Sequence, residues 1–415
     1  MRLLAVLVLA VAPAAAVVAS APGASQSVQT PLVRLVEGAD GHGDRLVPVD
    51  PRTLRPLSPG VPTFLDGFGG EFSPDGRLFA YGNGFDGRAV VELIDVESWS
   101  RRSRVKLGGD GPVALFWAAP DRLIAAAGEG SAGPRRLYVV AMPGGQVLTR
   151  RTFRGRTLGA AMTPLGLVML MAAERGIGPA RIVLAGLDGS LRTFPLASIR
   201  AGGGFGRAGR YRAPALTVDP EGGLAYVFAA GPMLAARIDL TSGTVDYHRL
   251  RAGGSASRAT AAKGSVAAWW RTAIWLGDGR IALTGHYEPP FRPGRRRQPT
   301  IRPFGVRLVD TRDWTIQALH PDPFLMYLAG DRLLALGTRT GMLAFDTRGR
   351  PAFTRFRGAD VSVLGSHGRL AYVWVRPNRR LHVLDLQSGR SLRSERVGPG
   401  RLPFLFSATG ADSGG

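Results

Sequence analysis

Short runs of apolar residues, separated by turn-forming residues, recur along most of the chain. The runs are rich in Val, Leu, Ile, Tyr and Phe and are bounded by Gly, Pro and Asp, a pattern that is typical of β-strands. In one class of run the last residue is aspartate, or in two copies another residue at the same position, and a turn and a second strand follow. These marker positions are Asp50, Asp95, Ala141, Gly186, Asp239, Asp310, Asp346 and Asp385. Each marker predicts a β-hairpin.

A second hairpin signature lies between consecutive markers. The clearest copy reads FSPDGRLFAYG over residues 72–82, and weaker copies begin near residues 120, 162, 220, 278, 330 and 367. In these copies Asp-Gly or a related pair supplies the positive φ that a tight turn between antiparallel strands needs. Two hairpins in succession make a four-stranded antiparallel unit of about 40–50 residues, the size of one propeller blade.

Residues 31–407 are therefore predicted to form an all-β propeller, since no amphipathic helix pattern occurs in this range. The stretch FSPDGRLFAYG followed by VELIDVESW resembles the WD-repeat-like propellers of secreted bacterial proteins, including the TolB-type and YVTN-type repeats. The resemblance implies the fold and little about function, because propellers carry unrelated activities on one scaffold. The chain lacks the closing Trp-Asp of eukaryotic WD repeats, so their buried hydrogen-bond network is not expected.

The number of blades follows from how the two signatures are paired. Seven markers are preceded by a hairpin signature, whereas Asp50 is not, and Arg401–Ser407 forms a lone strand at the other end. We expect this strand to join strands from residues 32–57 in a composite blade, because closing the ring protects the edges of the sheets. The prediction is eight blades, with seven as the alternative.

The N-terminal residues predict export. Residues 1–20 combine Arg2, an apolar run and a small-residue end, which are the features of a secretory signal peptide. Residues 21–30 read as a short linker and residues 408–415 as a disordered tail. The expected location is secreted or associated with the cell envelope, and membrane contact is expected only if the leader is uncleaved.

Composition then narrows the function classes. The 415 residues include no cysteine, which excludes disulfides, a thiolate metal site and a cysteine nucleophile. Lys and Arg number 53 against 31 Asp and Glu, a net charge of +22, and only Lys106 and Lys263 are lysines. An anionic partner is therefore expected. Nucleic acid is not, because an exported protein meets little of it and no nucleic-acid-binding module is present.

Two segments concentrate arginine: residues 287–304 and residues 200–212. Proline and glycine in the first oppose strand pairing, so both are predicted to be surface loops. Guanidinium groups interleaved with Tyr287 and Phe304 suit phosphates, carboxylates or anionic glycans. The candidate binding residues are Arg207, Arg210, Arg212, Arg292, Arg295, Arg296, Arg297 and Arg302. Whether both segments lie on one face stays open, as does the alternative that they are solvated loops that bind nothing.

No catalytic motif accompanies these segments. The histidines lack metal-ligand spacing, and neither a Gly-x-Ser-x-Gly turn nor a phosphate-binding loop is present, so no cofactor and no metal site are predicted. The tryptophans on predicted strands are interpreted as core; they are Trp117, Trp269, Trp270, Trp275 and Trp374. The expected function is a non-catalytic binding or scaffolding module for a protein or an anionic envelope polymer. The alternative is a propeller hydrolase or lyase with a metal over the central channel.

Overall fold

The computed structural model describes residues 32–37, 44–63, 69–83, 89–108, 113–128, 135–203, 211–252, 268–288, 301–398 and 404–407. The signal peptide, the linker and the C-terminal tail inferred from the sequence lie outside these residues. The described residues form β-strands and turns and contain no α-helix. Accordingly, no helix among them is long and apolar enough to cross a membrane.

The strands are numbered in chain order. The first three are β1 (Leu32–Glu37), β2 (Asp44–Val49) and β3 (Val61–Thr63). They are followed by β4 (Gly69–Phe72), β5 (Leu78–Asn83), β6 (Val90–Asp95), β7 (Ser100–Lys106), β8 (Val113–Ala119), β9 (Arg122–Gly128), β10 (Arg135–Ala141) and β11 (Gln146–Phe153). Next are β12 (Thr157–Thr163), β13 (Gly166–Met171), β14 (Ile177–Ala185), β15 (Leu191–Gly203), β16 (Tyr211–Ala213), β17 (Ala215–Asp219), β18 (Leu224–Phe228), β19 (Leu234–Asp239) and β20 (Val245–Arg249).

The second half of the chain continues the series. It contains β21 (Arg251–Ala252), β22 (Ala268–Gly277), β23 (Arg280–Glu288), β24 (Arg302–Pro303), β25 (Val306–Asp310) and β26 (Thr315–His320). The remaining strands are β27 (Leu325–Ala329), β28 (Arg332–Gly337), β29 (Gly341–Asp346), β30 (Pro351–Arg355), β31 (Val361–His367), β32 (Leu370–Val375), β33 (Arg380–Asp385), β34 (Ser391–Arg396) and β35 (Phe404–Phe406).

These strands form the four-stranded antiparallel sheets of a β-propeller, as the sequence predicts. Five of the sheets are built from consecutive strands: β4–β7, β8–β11, β17–β20, β27–β30 and β31–β34. A sixth has the order β3-β2-β1-β35, with Val33 of β1 opposite Phe406 of β35. The predicted composite blade, in which the C-terminal strand pairs with N-terminal strands, is thus confirmed.

The predicted number of blades is wrong. Among the described residues the structure has six separate four-stranded blades, neither eight nor seven, and the other eleven strands form one continuous sheet. We call this the fused sheet; it contains two runs of four antiparallel strands, β12–β15 and β22-β23-β25-β26, joined through β16. The join arises because β15, which extends to Gly203, pairs antiparallel with β16, and β16 pairs in parallel with β22. Residues 211 and 268 are far apart in sequence, so no local pattern reveals this pairing.

The aspartate markers end the third strand of several blades and hold the turn that follows. Asp95 Oδ1 accepts hydrogen bonds from the backbone N and the Oγ of Ser98, both at 2.9 Å. Asp385 binds Ser388 in the same way at 2.7 Å. These hydrogen bonds favour the ionised carboxylate and hold the pKa of both aspartates below its usual value.

The hydrophobic core lies between neighbouring sheets, and its continuity shows that the ring is closed. The first strands of successive sheets contact one another in the order β4, β8, β12, β17, β22, β27 and β31, and β31 contacts β35. Phe406 of β35 then packs against Phe79 and Tyr81 of β5, with ring centroids 5.6 and 6.0 Å apart. The contacts thus return to the blade with which they began.

Candidate anion-binding surface

The structure aligns three side chains from the two arginine-rich regions, and Trp269 between them, across neighbouring strands of the fused sheet. In the strand register, Arg212 of β16 lies opposite Trp269 of β22, Trp269 opposite Tyr287 of β23, and Tyr287 opposite Arg302 of β24. Residues paired in this way project to the same side of a sheet. We call Arg212, Trp269, Tyr287 and Arg302 the arginine row.

Ring contacts hold part of this row in place. The guanidinium carbon of Arg212 lies 4.9 Å from the centroid of the Trp269 ring. Trp269 meets Tyr287 edge to face, with centroids 4.4 Å apart. Arg212, Trp269 and Tyr287 are half-buried, whereas Arg302 at the end of the row is exposed. The row therefore presents two cationic groups separated by two aromatic rings.

Further cationic groups lie beside the row on the same side of the sheet. Arg271 follows Trp269 by two residues, so both side chains project to the same side of β22. Its guanidinium carbon is 3.6 Å from the centroid of Phe304, and that of Arg307 on β25 is 4.2 Å from the same centroid. Burial lowers the pKa of Arg271 and of Arg307, because a buried charge loses its hydration.

A second aromatic cluster occupies the other side of these strands. The Arg156 guanidinium lies 4.8 Å from the Tyr211 ring centroid, and Tyr211 packs on Trp270 at 4.6 Å. Trp270 stacks on His286 at 5.8 Å. Burial, and secondarily the charge of Arg271, lowers the pKa of His286 from 6.5 to about 4, so its imidazole is neutral near pH 7.

Two of the predicted binding residues fall in the described part of the chain, and both lie on strands. Arg212 is on β16 and Arg302 on β24, so the prediction that residues 200–212 and 287–304 are entirely loops is wrong at these positions. Pro303 is tolerated because β24 pairs with β23 over only two residues. The other predicted residues lie outside the described residues; they are Arg207, Arg210, Arg292, Arg295, Arg296 and Arg297.

The sequence pattern alone does not reveal the aromatic and buried members of this surface. Trp270 packs against the core, as the pattern predicts, and it also stacks on His286. Trp269 is half-buried and contacts Arg212. Arg271 and Arg307 fall inside strand patterns, where a single arginine is usually a solvated outward-facing residue. The available signal was the lack of acidic residues: none occurs between Asp246 and Asp278, although Arg271 lies there within an apolar strand.

The described residues can also be compared with what a metal-dependent enzyme would need. Within them, no group of three or more His, Asp or Glu side chains could hold a metal ion. No described cluster therefore supports the alternative of a metal-dependent hydrolase or lyase.

Solved structures with the same fold are numerous. The dihydro-heme d1 dehydrogenase NirN, solved in complex with DHE, is similar with a TM-score of 0.59 and 15% identity, over 93% of this chain and 77% of that one. AztD from Citrobacter koseri, solved in its apo form, has a TM-score of 0.54 and 12% identity, over 91% and 97%. The WD40 domain of Toxoplasma gondii coronin has a TM-score of 0.43 and 10% identity, over 90% and 99%.

The chain is thus a β-propeller whose structural neighbours include WD40 and other propellers of varied function. At these identities the likeness shows the fold alone. No protein-family model matches the sequence, and no curated protein is similar to it.

Proposed function

We propose that this protein is an exported, non-catalytic β-propeller that binds an anionic polymer of the cell envelope through the arginine row. One observation carries the proposal: the strand register aligns Arg212 and Arg302, from two separate arginine-rich regions, on either side of Trp269 and Tyr287. Guanidinium groups pair with carboxylates or phosphates in bidentate fashion, and aromatic rings between them can pack on sugar rings.

The charge distribution supports an anionic partner. The net charge is +22, and no acidic residue occurs between Asp188 and Asp219, a stretch that contains five arginines. The field of such a surface attracts polyanions over about 8 Å at physiological salt. A polymer engages several arginines at once, which makes even weak individual contacts additive.

The location rests on the N-terminal leader. Residues 1–20 have the pattern of a secretory signal peptide, and export would place the propeller among envelope polymers rather than nucleic acids. The test below also distinguishes binding to a polymer from binding to a protein partner.

The test measures binding of the purified protein to polygalacturonate, a polymer that carries one carboxylate per sugar. We expect the double variant Arg212→Ala/Arg302→Ala to bind about tenfold more weakly, a loss of about 1.4 kcal/mol. We also expect wild-type binding to weaken steeply as NaCl is raised, because exposed charges are screened.

The matched control is the double variant Arg348→Ala/Arg350→Ala, which removes the same charge from the exposed turn between β29 and β30. Equal weakening in both double variants would mean that the polymer responds to net charge alone. Binding that is absent or insensitive to salt would reject the polymer. Capture of a single envelope protein by the wild type, lost in the Arg212/Arg302 variant, would assign the row to a protein partner instead.

A further inference from the structure

Arg271 is a buried cation without a carboxylate partner among the residues that the structure describes. Its side chain is 6% exposed. Its Nη2 donates to the Tyr287 hydroxyl at 3.0 Å, and its Nη1 makes a long contact of 3.4 Å with the Trp270 carbonyl. Guanidinium groups have five N–H donors, so these two contacts leave donors unused.

The second guanidinium group at this place adds to the positive charge instead of balancing it. Arg307 is half-buried and contacts the same Phe304 ring as Arg271. Its Nε is buried without a hydrogen-bond partner among the described residues. Burial, and to a smaller extent the charge of Arg307, lowers the pKa of Arg271; Tyr287 opposes this shift in both arginines, and no carboxylate of the described residues does.

Neither the residue next to Tyr287 nor the sequence of the adjoining segments offers a carboxylate for Arg271. Glu288 follows Tyr287 directly and therefore projects to the other side of β23. The segments that adjoin these strands, residues 204–210, 253–267 and 289–300, contain no Asp or Glu in their sequence. Contacts of Arg271 with Tyr287 and Phe304 offset only part of the cost of burying an unpaired charge.

The neighbouring neutral groups are also donors. The Trp269 Nε1 is buried and has no hydrogen-bond partner among the described residues. The Tyr287 hydroxyl accepts from Arg271, which leaves its own proton free to donate. Two cations and two further donors, with no carboxylate among the described residues to balance them, are the complement of an oxyanion.

We propose that Arg271 and Arg307, together with Tyr287 and Trp269, bind one small oxyanion, a phosphate or carboxylate group, against Phe304. This inference goes beyond the proposed function, because the site takes a single anionic group and stabilises the fold whether or not a polymer binds the arginine row. A ligand that binds only the folded state raises its stability in proportion to the logarithm of ligand concentration over Kd.

The experiment follows thermal unfolding of the full-length protein in chloride, inorganic phosphate or succinate at constant ionic strength. Phosphate and succinate distinguish the two kinds of oxyanion. We expect one of them, at tenfold over its Kd, to raise the Tm by roughly 1–3 °C. The Arg271→Met variant should lose this response.

Phosphate stabilises proteins generally by exclusion from their surface, so a matched control is needed. Arg280→Met serves, since Arg280 lies on β23 and pairs with Asp278 at 2.7 Å. It should keep the wild-type response. If Arg271→Met fails to fold, Arg307→Gln and isothermal titration with the same anions replace it.

An equal rise of Tm in wild type and Arg271→Met, or no rise and no binding heat in the wild type, would overturn the proposal. Polymer binding through Arg212 and Arg302 is measured separately, so either proposal can fail alone.

Discussion

Two buried charged residues show how differently this protein treats interior charge. Glu92 on β6 is 2% exposed, and it accepts hydrogen bonds from Arg104 Nε at 3.1 Å and Thr63 Oγ1 at 3.2 Å. Arg271 is almost as buried, but its contacts are a tyrosine hydroxyl, aromatic rings and a carbonyl. A buried charge that is paired with an opposite charge is tolerated in the fold. An unpaired buried charge destabilises the fold unless a ligand supplies the opposite charge.

His286 provides a prediction at this scale. Its pKa is about 4 in the folded protein because of burial and the charge of Arg271, whereas in the unfolded chain it is near 6.5. The unfolded state therefore binds more protons between these values, and stability should fall as the pH decreases from about 6.5 to 4. The contribution is at most about 1.4 kcal/mol per pH unit.

Urea unfolding of wild type and His286→Gln at pH 7, 6, 5 and 4 checks this. The variant should lose less stability than the wild type over that range, because glutamine does not titrate. His382→Gln is a second test of the same effect on a strand of another blade, β33: burial lowers the pKa of His382 as well, so this variant should also lose less stability than the wild type. Parallel pH profiles for wild type and His286→Gln would contradict the lowered pKa of His286.

The strands themselves follow local sequence rules, but the fused sheet depends on the pairing of β16. Asp-Gly turns and aspartate markers define hairpins that each form within a few residues, so they can be read from the sequence. The β16 pairing instead involves Gly202 and Gly203 at the end of β15, with φ of 107° and 99°, and parallel pairing of β16 with a distant strand. Gly202 also lies so close to Gly176 that a Cβ would be 2.4 Å from its carbonyl oxygen.

Gly202→Ala should therefore disturb the pairing of β15 with β16. We expect a loss of about 1–3 kcal/mol in the free energy of unfolding, since the substitution combines a positive φ with a backbone clash. Polygalacturonate binding should weaken as well, because Arg212 on β16 loses its alignment with Trp269. Gly358→Ala is the control: its φ is 71°, and no atom lies within 4 Å of the added Cβ. Equal effects of the two substitutions would show that the close approach at Gly202 is unimportant.

Ring closure decides the stability of the whole molecule. The protein has no cysteine, so core burial and the pairing of β35 with β1 must hold the first and last blades together. Arg34 of β1 also donates to Glu395 of β34 at 2.6 Å. Pairing with β35 covers the edge of β1 that would otherwise be open to pairing with other chains.

Phe406→Ala tests this closure. Phe406 is 3% exposed and packs against Phe79 and Tyr81, so its truncation should cost about 3–5 kcal/mol. The expected result is a lower urea midpoint together with faster proteolysis at the termini. Leu392→Ala, at a side chain that is 54% exposed, should change stability by less than about 0.5 kcal/mol. A Phe406→Ala variant as stable as Leu392→Ala would mean that the C-terminal strand does not hold the ring.

The sequence by itself determined the β-propeller, its hairpins and its composite blade, because these depend on turn residues and strand patterns that act over a few positions. It also predicts that arginines, among them Arg212 and Arg302, bind an anionic partner. Only the tertiary structure decided that strands near residues 211 and 268 pair in parallel, and that six blades are separate. It also aligned the arginine row and buried Arg271 beside Arg307. These features arise from contacts between residues distant in the chain, whose pairing no local pattern encodes.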